Sequence, residues 1–119
     1  MFDLRFYETR RGDVPIADYL DELKKASSTS KDARINRRKI LAYMAALSEE
    51  GTLLGEPYVK PVVEDIWELR PLKNRIFFFF WKDDTYVLLH HFIKKTKKTP
   101  KKEIQQAISN RNDWLERNE

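Results

Sequence analysis

Four cations at the ends of predicted strands are the side chains of this sequence best suited to chemistry on a phosphodiester. Arg70 closes one predicted strand and Arg75 opens the next. Lys94 and Lys95 close the third strand of the same meander. Antiparallel pairing places the end of one strand beside the start of the next, so we expect all four cations at one end of a sheet.

A cluster of this kind fits two functions. Guanidinium groups bind phosphate oxygens bidentately and stabilise the charge that develops during phosphoryl transfer. A lysine among other cations could act as the general base or acid. RNA carries its own nucleophile, the 2′-hydroxyl, so such a site could cleave RNA without a metal ion. The alternative is a surface that only grips phosphates.

A run of lysines extends this cationic region. Between Lys94 and Lys102 there are six lysines in nine residues and no acid. The chain has 23 basic and 19 acidic residues and a net charge of +4, so the remainder, without these six lysines, is slightly acidic. Such a focus of charge favours a polyanion, most simply nucleic acid, although lysine runs are also common on solvated surfaces. The lysines expected to bind RNA are Lys97, Lys98, Lys101 and Lys102.

Two adjacent histidines are candidates for the general base. His90 is predicted on the same face as Phe77 and Phe92, where a partly buried, hydrogen-bonded histidine is the commoner outcome. His90 is nevertheless the better candidate of the two, ahead of His91. The aromatic run Phe77–Trp81 could stack RNA bases, but four consecutive phenylalanines favour a central strand that is buried on both faces.

Several classes of site and location are excluded or disfavoured. The chain has no cysteine, which excludes disulfides and thiolate metal sites, and its three glycines form no phosphate-binding loop. No spacing of histidines or carboxylates is typical of a metal site, and we expect no cofactor. The longest strongly apolar run, Ile76–Trp81, is too short to span a bilayer, and residues 1–5 lack the layout of a signal peptide. We therefore expect a cytoplasmic protein with no membrane partner.

Apolar periodicity predicts the elements that position these residues. Alternation indicates strands, and spacing of three and four residues indicates helices. Pro15 suits the start of the first helix, Ser30 the cap of the second and Gly51 its end. The predicted elements are a strand over residues 2–7, helices over 15–26 and 30–51, strands over 66–70, 74–82 and 85–95, and a helix that begins at Thr99–Pro100.

The order β-α-α-β-β-β-α indicates one α+β domain over residues 1–119, with helices packed on one side of a small, mostly antiparallel sheet. A two-residue hairpin at Asp83–Asp84 would connect the last two strands. The register that follows from it pairs Phe79 with Leu88, Phe77 with His90, and Arg75 with Phe92.

The motifs along the second half of the chain strongly resemble the phage-derived, HigB-type branch of the RelE toxin superfamily. The resemblance covers essentially the whole chain in element order, and its C-terminal signature is quite specific. The motifs are Trp67-Glu68-Leu69-Arg70, then Asn74-Arg75-Ile76-Phe77-Phe78, then His90-x-Phe92-x-Lys94-Lys95-Thr96-x-Lys98-Thr99-Pro100-x-x-Glu103-Ile104.

This resemblance implies a microbial RNase fold and the toxin of a type II toxin–antitoxin pair. Such toxins cut mRNA in the ribosomal A site with the help of the ribosome, without a metal, by attack of the 2′-hydroxyl on the adjacent phosphate. It also implies a helix-turn-helix antitoxin as partner, in a hetero-oligomer that binds operator DNA through the antitoxin.

The resemblance also implies roles for individual residues. Arg75 resembles the arginine that contacts the scissile phosphate, and Arg70 the arginine that closes the preceding strand. Lys94 and Lys95 resemble the basic pair that stabilises charge in the transition state. Some relatives use a C-terminal tyrosine or a histidine as general base; no tyrosine follows Tyr86 here, which leaves a lysine or His90.

Two other functions stay open at this point. One is a module that binds RNA or the ribosome and blocks translation by occupancy, without catalysis. The other is a phage-derived protein that acts by binding a protein partner and does no RNA chemistry.

Overall fold

The computed structural model describes the chain from Met1 to Glu119 as five strands, three α-helices and a short 3-10 turn. The elements in chain order are β1 Asp3–Phe6, α1 Pro15–Ala26, α2 Lys31–Glu50, the 3-10 turn Gly51–Leu54, β2 Val59–Val63, β3 Ile66–Leu69, β4 Asn74–Phe80, β5 Thr85–Ile93 and α3 Lys101–Arg117. This is the α+β architecture that the sequence predicts, with one additional strand.

The five strands form one sheet in the order β1-β5-β4-β3-β2. All neighbours are antiparallel except β1 and β5, which are parallel. The additional strand is β2, which the sequence analysis assigned to a loop because Pro61 lies in it. Proline has no N–H to donate, but β2 is an edge strand and needs partners on one side only, so Pro61 is tolerated there.

The turn between β4 and β5 differs slightly from the predicted hairpin. Asp83 and Asp84 both have left-handed backbone conformations, with φ of 52° and 54°. The Trp81 N–H donates to the Thr85 carbonyl at 2.9 Å, so three residues rather than two separate these paired positions. The additional residue shifts the register beside the turn by one position.

A β-bulge at Leu89 reverses that shift. Beside the turn Phe79 pairs with Val87, not with Leu88 as predicted. Beyond the irregularity the register returns, because β5 contributes one unpaired residue there. The two predicted pairs nearest the cationic end are therefore present: Phe77 with His90, and Arg75 with Phe92.

The sheet is covered on both faces. Ile76 and Phe78 of β4 lie in a core with α1 and α2. Phe77 and Phe79 lie in a second core with α3. Successive strand residues point to opposite faces, so a strand of four phenylalanines needs a cover on each side. The expectation that the helices pack on one side of the sheet is therefore wrong, since α3 lies opposite α1 and α2.

Local signals set the helix ends as the sequence indicates. The Ser30 side chain accepts a hydrogen bond from the Ala33 N–H at 3.1 Å and caps α2. Gly51, with φ of 60°, ends α2, and a Cβ there would lie 2.8 Å from both Phe2 and Tyr86. Pro100 precedes α3, so the segment 94–100 is a short connection that holds the lysine run between β5 and α3.

The two-sided core predicts the cost of shortening individual phenylalanines of β4. Phe77→Ala and Phe78→Ala should each lower the free energy of unfolding by about 3–5 kcal/mol, since each side chain is fully buried in a different core. Phe80 is 47% exposed at the end of the same strand, so Phe80→Ala is the matched control and should lower the free energy of unfolding by about 1 kcal/mol or less. Urea unfolding measures all three. A small cost for either Phe77 or Phe78 would contradict the two-sided core.

Candidate active site

A cationic cleft lies at the end of the sheet where β4 begins and β5 ends. It has a volume of about 590 Å³. Five of its seven lining residues are cations and none is acidic: the lining consists of Lys73, Arg75, Ile93, Lys94, Lys95, Thr96 and Lys97. The Lys94 N–H donates to the Lys73 carbonyl at 2.8 Å and continues the β4–β5 pairing into the cleft wall. Three of the predicted site residues, Arg75, Lys94 and Lys95, thus line one cavity.

Arg75 forms the most buried wall of the cleft and is held rigidly. Its side chain donates from Nη1 to the carbonyls of Leu72 and Asn74, both at 2.8 Å. The residue is only 9% exposed. Burial, followed by the charge of neighbouring Arg70, lowers the pKa of Arg75. An arginine keeps its proton in proteins, so Arg75 presents a fixed positive charge to whatever enters the cleft.

Glu68 connects the two predicted arginines. Its Oε2 lies 3.5 Å from Nε of Arg70 and 3.8 Å from Nε of Arg75. Glu68 is 3% exposed and lies in β3 opposite Phe77, on the α3 side of the sheet. Arg70 does not line the cleft, but it shares the Glu68 carboxylate with Arg75, which does. Two guanidinium groups around one carboxylate leave one positive charge in excess.

Asn74 fixes the turn that precedes Arg75. It is 1% exposed and makes four side-chain hydrogen bonds, as many as an amide group can. Its oxygen accepts from the Tyr19 hydroxyl and from His91 Nε2, and its nitrogen donates to Asn36 Oδ1 and the Pro71 carbonyl, at 2.9–3.1 Å. Because Asn74 links both helices α1 and α2 to the β3–β4 turn, the backbone before Arg75 has little freedom.

His91 belongs to that network and not to the cleft. Its ring stacks on Tyr19 with centroids 3.9 Å apart, on the α1 side of the sheet. Burial, assisted by neighbouring His90, lowers the pKa of His91 from 6.5 to about 4. His91 is therefore neutral near pH ~7 and donates its Nε2 proton to Asn74.

His90 lies on the α3 side and is already engaged. Its Nε2 is 2.9 Å from Oε1 of Glu103 in the first turn of α3. Its ring is roughly parallel to those of Phe77 and Phe92, with centroids 6.3 Å and 6.4 Å away. It does not line the cleft, so the structure does not place His90 with Arg75, Lys94 and Lys95 in that cavity. Its catalytic role stays a prediction.

The remaining predicted lysines lie in the connection between β5 and α3 and in the first turn of α3. Lys97 lines the cleft itself, and Lys102 lines an adjoining one together with His91, Lys95 and Glu103. Lys98 and Lys101 are exposed and line neither. The Thr96 hydroxyl donates to the Lys98 carbonyl at 2.6 Å, which gives the connection an ordered turn.

Sequence reasoning missed two residues of this site. Lys73 precedes β4 in a turn, where an exposed lysine carries no distinctive signal. Glu68 did carry one, because alternation along Trp67-Glu68-Leu69 places a carboxylate on the face opposite its two apolar neighbours. The sequence does not show that the face of β3 that carries Glu68 is buried as well. That follows only from the second core, which lies between the sheet and α3.

No group of three or more histidines or carboxylates lies close enough to hold a metal ion. None of the helices is both long and apolar enough to cross a bilayer.

Comparison with known proteins assigns the chain to a family. Residues 18–112 match the family described as Phage derived protein Gp49-like (DUF891). The chain belongs to this Gp49-like family. It is a RelE/toxin-like family, in agreement with the resemblance drawn from the motifs around Arg70, Arg75 and Lys94. The match spans most of α1, all of α2 and β2 to β5, and most of α3, and so contains every residue of the cleft. No curated protein matches the chain.

The buried, neutral His91 predicts a pH dependence of the stability of this Gp49-like protein. Its folded-state pKa is depressed, so below about pH 6.5 the unfolded chain binds a proton that the folded protein does not, and stability falls towards pH 4. We expect His91 to account for about 2 kcal/mol of lost stability at about pH 5. Urea unfolding at pH values between about 7 and 4.5 measures this.

The matched control is His91→Gln, which keeps a donor for Asn74 but does not titrate. As the pH falls over that range, the wild type should lose more unfolding free energy than the variant, so the stability of the variant should rise relative to that of the wild type. A constant difference would contradict a neutral His91.

Proposed function

We propose that this Gp49-like protein is the toxin of a HigB-type toxin–antitoxin pair and a ribosome-dependent, metal-independent mRNA endoribonuclease. The observation that carries the proposal is the single cleft lined by Arg75, Lys94 and Lys95 at the end of the sheet. Membership of a RelE/toxin-like family supports it. An enzyme that acts on mRNA in the ribosome must be located with the ribosomes, so we propose that the protein is cytoplasmic.

The chemistry follows from the charges of the cleft. The 2′-hydroxyl of the RNA attacks the adjacent phosphorus, which gains negative charge on its non-bridging oxygens while the bond to the 5′-oxygen breaks. Arg75 binds and neutralises those oxygens, with Arg70 behind it. Lys94 and Lys95, which line the same cleft, stabilise charge on the phosphate and the leaving oxygen. Such fixed cations act more strongly in a partly desolvated cleft than in water.

The lysine connection supplies affinity for the RNA chain. Lys97, Lys98, Lys101 and Lys102 are all exposed and follow one another along the chain from the cleft to the first turn of α3. Contacts of this type bind phosphates without reading sequence, so choice of the cut site depends on the ribosome that presents the mRNA.

The proposed protein partner is a helix-turn-helix antitoxin. It would neutralise the toxin in a hetero-oligomer and hold that complex on operator DNA. This part of the proposal rests on the family resemblance alone.

One observation favours a second candidate, the module that blocks translation by occupancy. Neither histidine lines the cleft, because His90 pairs with Glu103 and His91 faces α1. No tyrosine follows Tyr86. In the endoribonuclease, the general base is then a lysine of the cleft, a group of the ribosome, or His90 once it is released from Glu103. In the occupancy module, no base is needed.

Arg75→Ala tests the endoribonuclease directly. We expect cleavage to fall by about 10²–10³-fold, the usual loss when one preorganised donor to a developing oxyanion is removed. The measurement is the mapping of new 5′ ends on a reporter mRNA with and without translating ribosomes. Wild-type protein should produce in-frame, ribosome-dependent cuts.

Lys82→Ala is the control, since Lys82 is an exposed cation beside the β4–β5 turn, at the opposite end of β4 from Arg75. It should cut like the wild type. Arrested translation with intact mRNA from the wild-type protein would exclude the endoribonuclease and support the occupancy module. A toxic phenotype that survives Arg75→Ala would instead support a protein that acts through partner binding.

The lysine surface predicts a salt dependence of RNA binding. Replacing either Lys97 or Lys98 singly with glutamine should weaken binding of a single-stranded RNA whatever its sequence. The slope of log affinity against log salt concentration should become shallower by about 0.7 for each phosphate contact removed. Fluorescence anisotropy with a 2′-O-methyl oligonucleotide, which cannot be cut, measures this, with Lys82→Gln as the charge-matched control. An equal effect of the control would assign the binding to net charge alone.

A further inference from the structure

We propose that Glu68 is a positioning residue of the cleft, which attracts the Nε sides of Arg70 and Arg75 and thereby fixes Arg75 with its Nη2 group towards the RNA phosphate. The contacts that carry this inference are the 3.5 Å and 3.8 Å distances from Glu68 Oε2 to the two Nε atoms. The inference rests on the proposed function and deepens it.

Burial makes this carboxylate dependent on the two arginines. A carboxylate that is 3% exposed must be paired, because burying an isolated charge is costly. The cations within ion-pair distance of Glu68 are Arg70 and Arg75. Both Nε atoms are themselves buried and have no hydrogen-bond partner. The three charged groups therefore depend on one another for compensation in the protein interior.

The backbone around Glu68 is suited to a positioning role. Glu68 lies inside β3 and pairs with Lys60 of β2 on one side and Phe77 of β4 on the other. A residue in the interior of a sheet moves less than one in a loop, so its carboxylate is a fixed point of reference. Arg70 and Arg75, by contrast, lie where β3 ends and β4 begins and have long side chains.

The contacts of Arg75 show how its donors are divided. Nη1 is occupied by the carbonyls of Leu72 and Asn74, and Nε lies against Glu68. Nη2 is the nitrogen left for a ligand in the cleft. Rotation of the guanidinium would exchange these roles, and Glu68 opposes that rotation by attracting the Nε side.

Glu68 also allows two arginines to lie side by side. The charge of Arg70 disfavours the protonated form of Arg75, whereas Glu68 favours it. Without the carboxylate the two guanidinium groups would repel each other and separate. The cleft would then carry more positive charge but in a looser arrangement. Binding of RNA should be kept or strengthened by this change, whereas cleavage, which needs correct geometry, should be lost.

Glu68→Gln tests the inference because glutamine has the same shape without the charge. We expect cleavage on translating ribosomes to fall on the order of 100-fold, the effect of displacing a catalytic group by about 1 Å. Binding of a 2′-O-methyl RNA, which reports affinity alone, should be as tight as in the wild type or tighter. NMR of isotope-labelled protein should show that the Nε–H resonances of Arg70 and Arg75 shift or broaden.

Asp113→Asn is the matched control. Asp113 also binds two arginines, Arg10 and Arg117, but in a partly buried cluster with Tyr7, away from the cleft. This variant should lose stability yet cleave at the wild-type rate and leave the resonances of Arg70 and Arg75 unchanged. If Glu68→Gln does not fold, Glu68→Asp replaces it, because the shorter side chain keeps the charge but cannot reach both arginines.

The outcomes separate this inference from the proposed function. Wild-type cleavage by Glu68→Gln, or by Glu68→Asp where it replaces that variant, overturns the positioning role and leaves the endoribonuclease intact. Equal losses of RNA binding and cleavage would also overturn it, since that pattern shows loss of the site as a whole. If the wild-type protein cuts no RNA, the proposed function fails. The arginine resonances then decide about the positioning role. Resonances that are unchanged in the Glu68 variant overturn the inference, whereas shifted resonances support it.

Discussion

The pairing of β4 with β5 is the constraint on which the rest of the structure depends. These are the two longest strands, they lie in the middle of the sheet, and their inward residues fill both cores. The same ladder brings the start of one strand beside the end of the other, so Arg75 and Lys94 become neighbours although 18 residues of chain separate them. The bulge at Leu89 is needed for this, because it returns Arg75 to its place opposite Phe92.

The charged end of this pair is stabilised by polar groups that are buried rather than exposed. Concentrating five cations around one cleft is unfavourable by simple electrostatics. Glu68 offsets part of that charge from below, and the carbonyls of Leu72 and Asn74 accept from Arg75. Asn74 in turn anchors the turn to α1 and α2. The cationic surface is thus attached to the core by hydrogen bonds and ion pairs, which keeps it in one arrangement before any ligand binds.

Local patterns sufficed for most of the elements and failed where tertiary contacts decide. Ser30 caps a helix and Gly51 ends one because those preferences act within a few residues. The strand β2 could not be inferred, since a proline is acceptable only at an edge, and whether a strand lies at an edge depends on the whole sheet. The pairing beside the turn, Phe79 with Val87, failed for a related reason: one additional loop residue moves the register.

The sequence by itself determined the kinds of charge at the site and the strand ends that carry them. Arg75, Lys94 and Lys95 converge because any antiparallel meander of these strands brings them together. Only the tertiary structure decided what lies behind them. Glu68 lies buried beside the two arginines on the face of the sheet that α3 covers, and Glu103 of α3 pairs with His90 outside the cleft. Side chains far apart in sequence make these contacts, and no periodicity or motif along the chain specifies which of them share a face once both faces are covered.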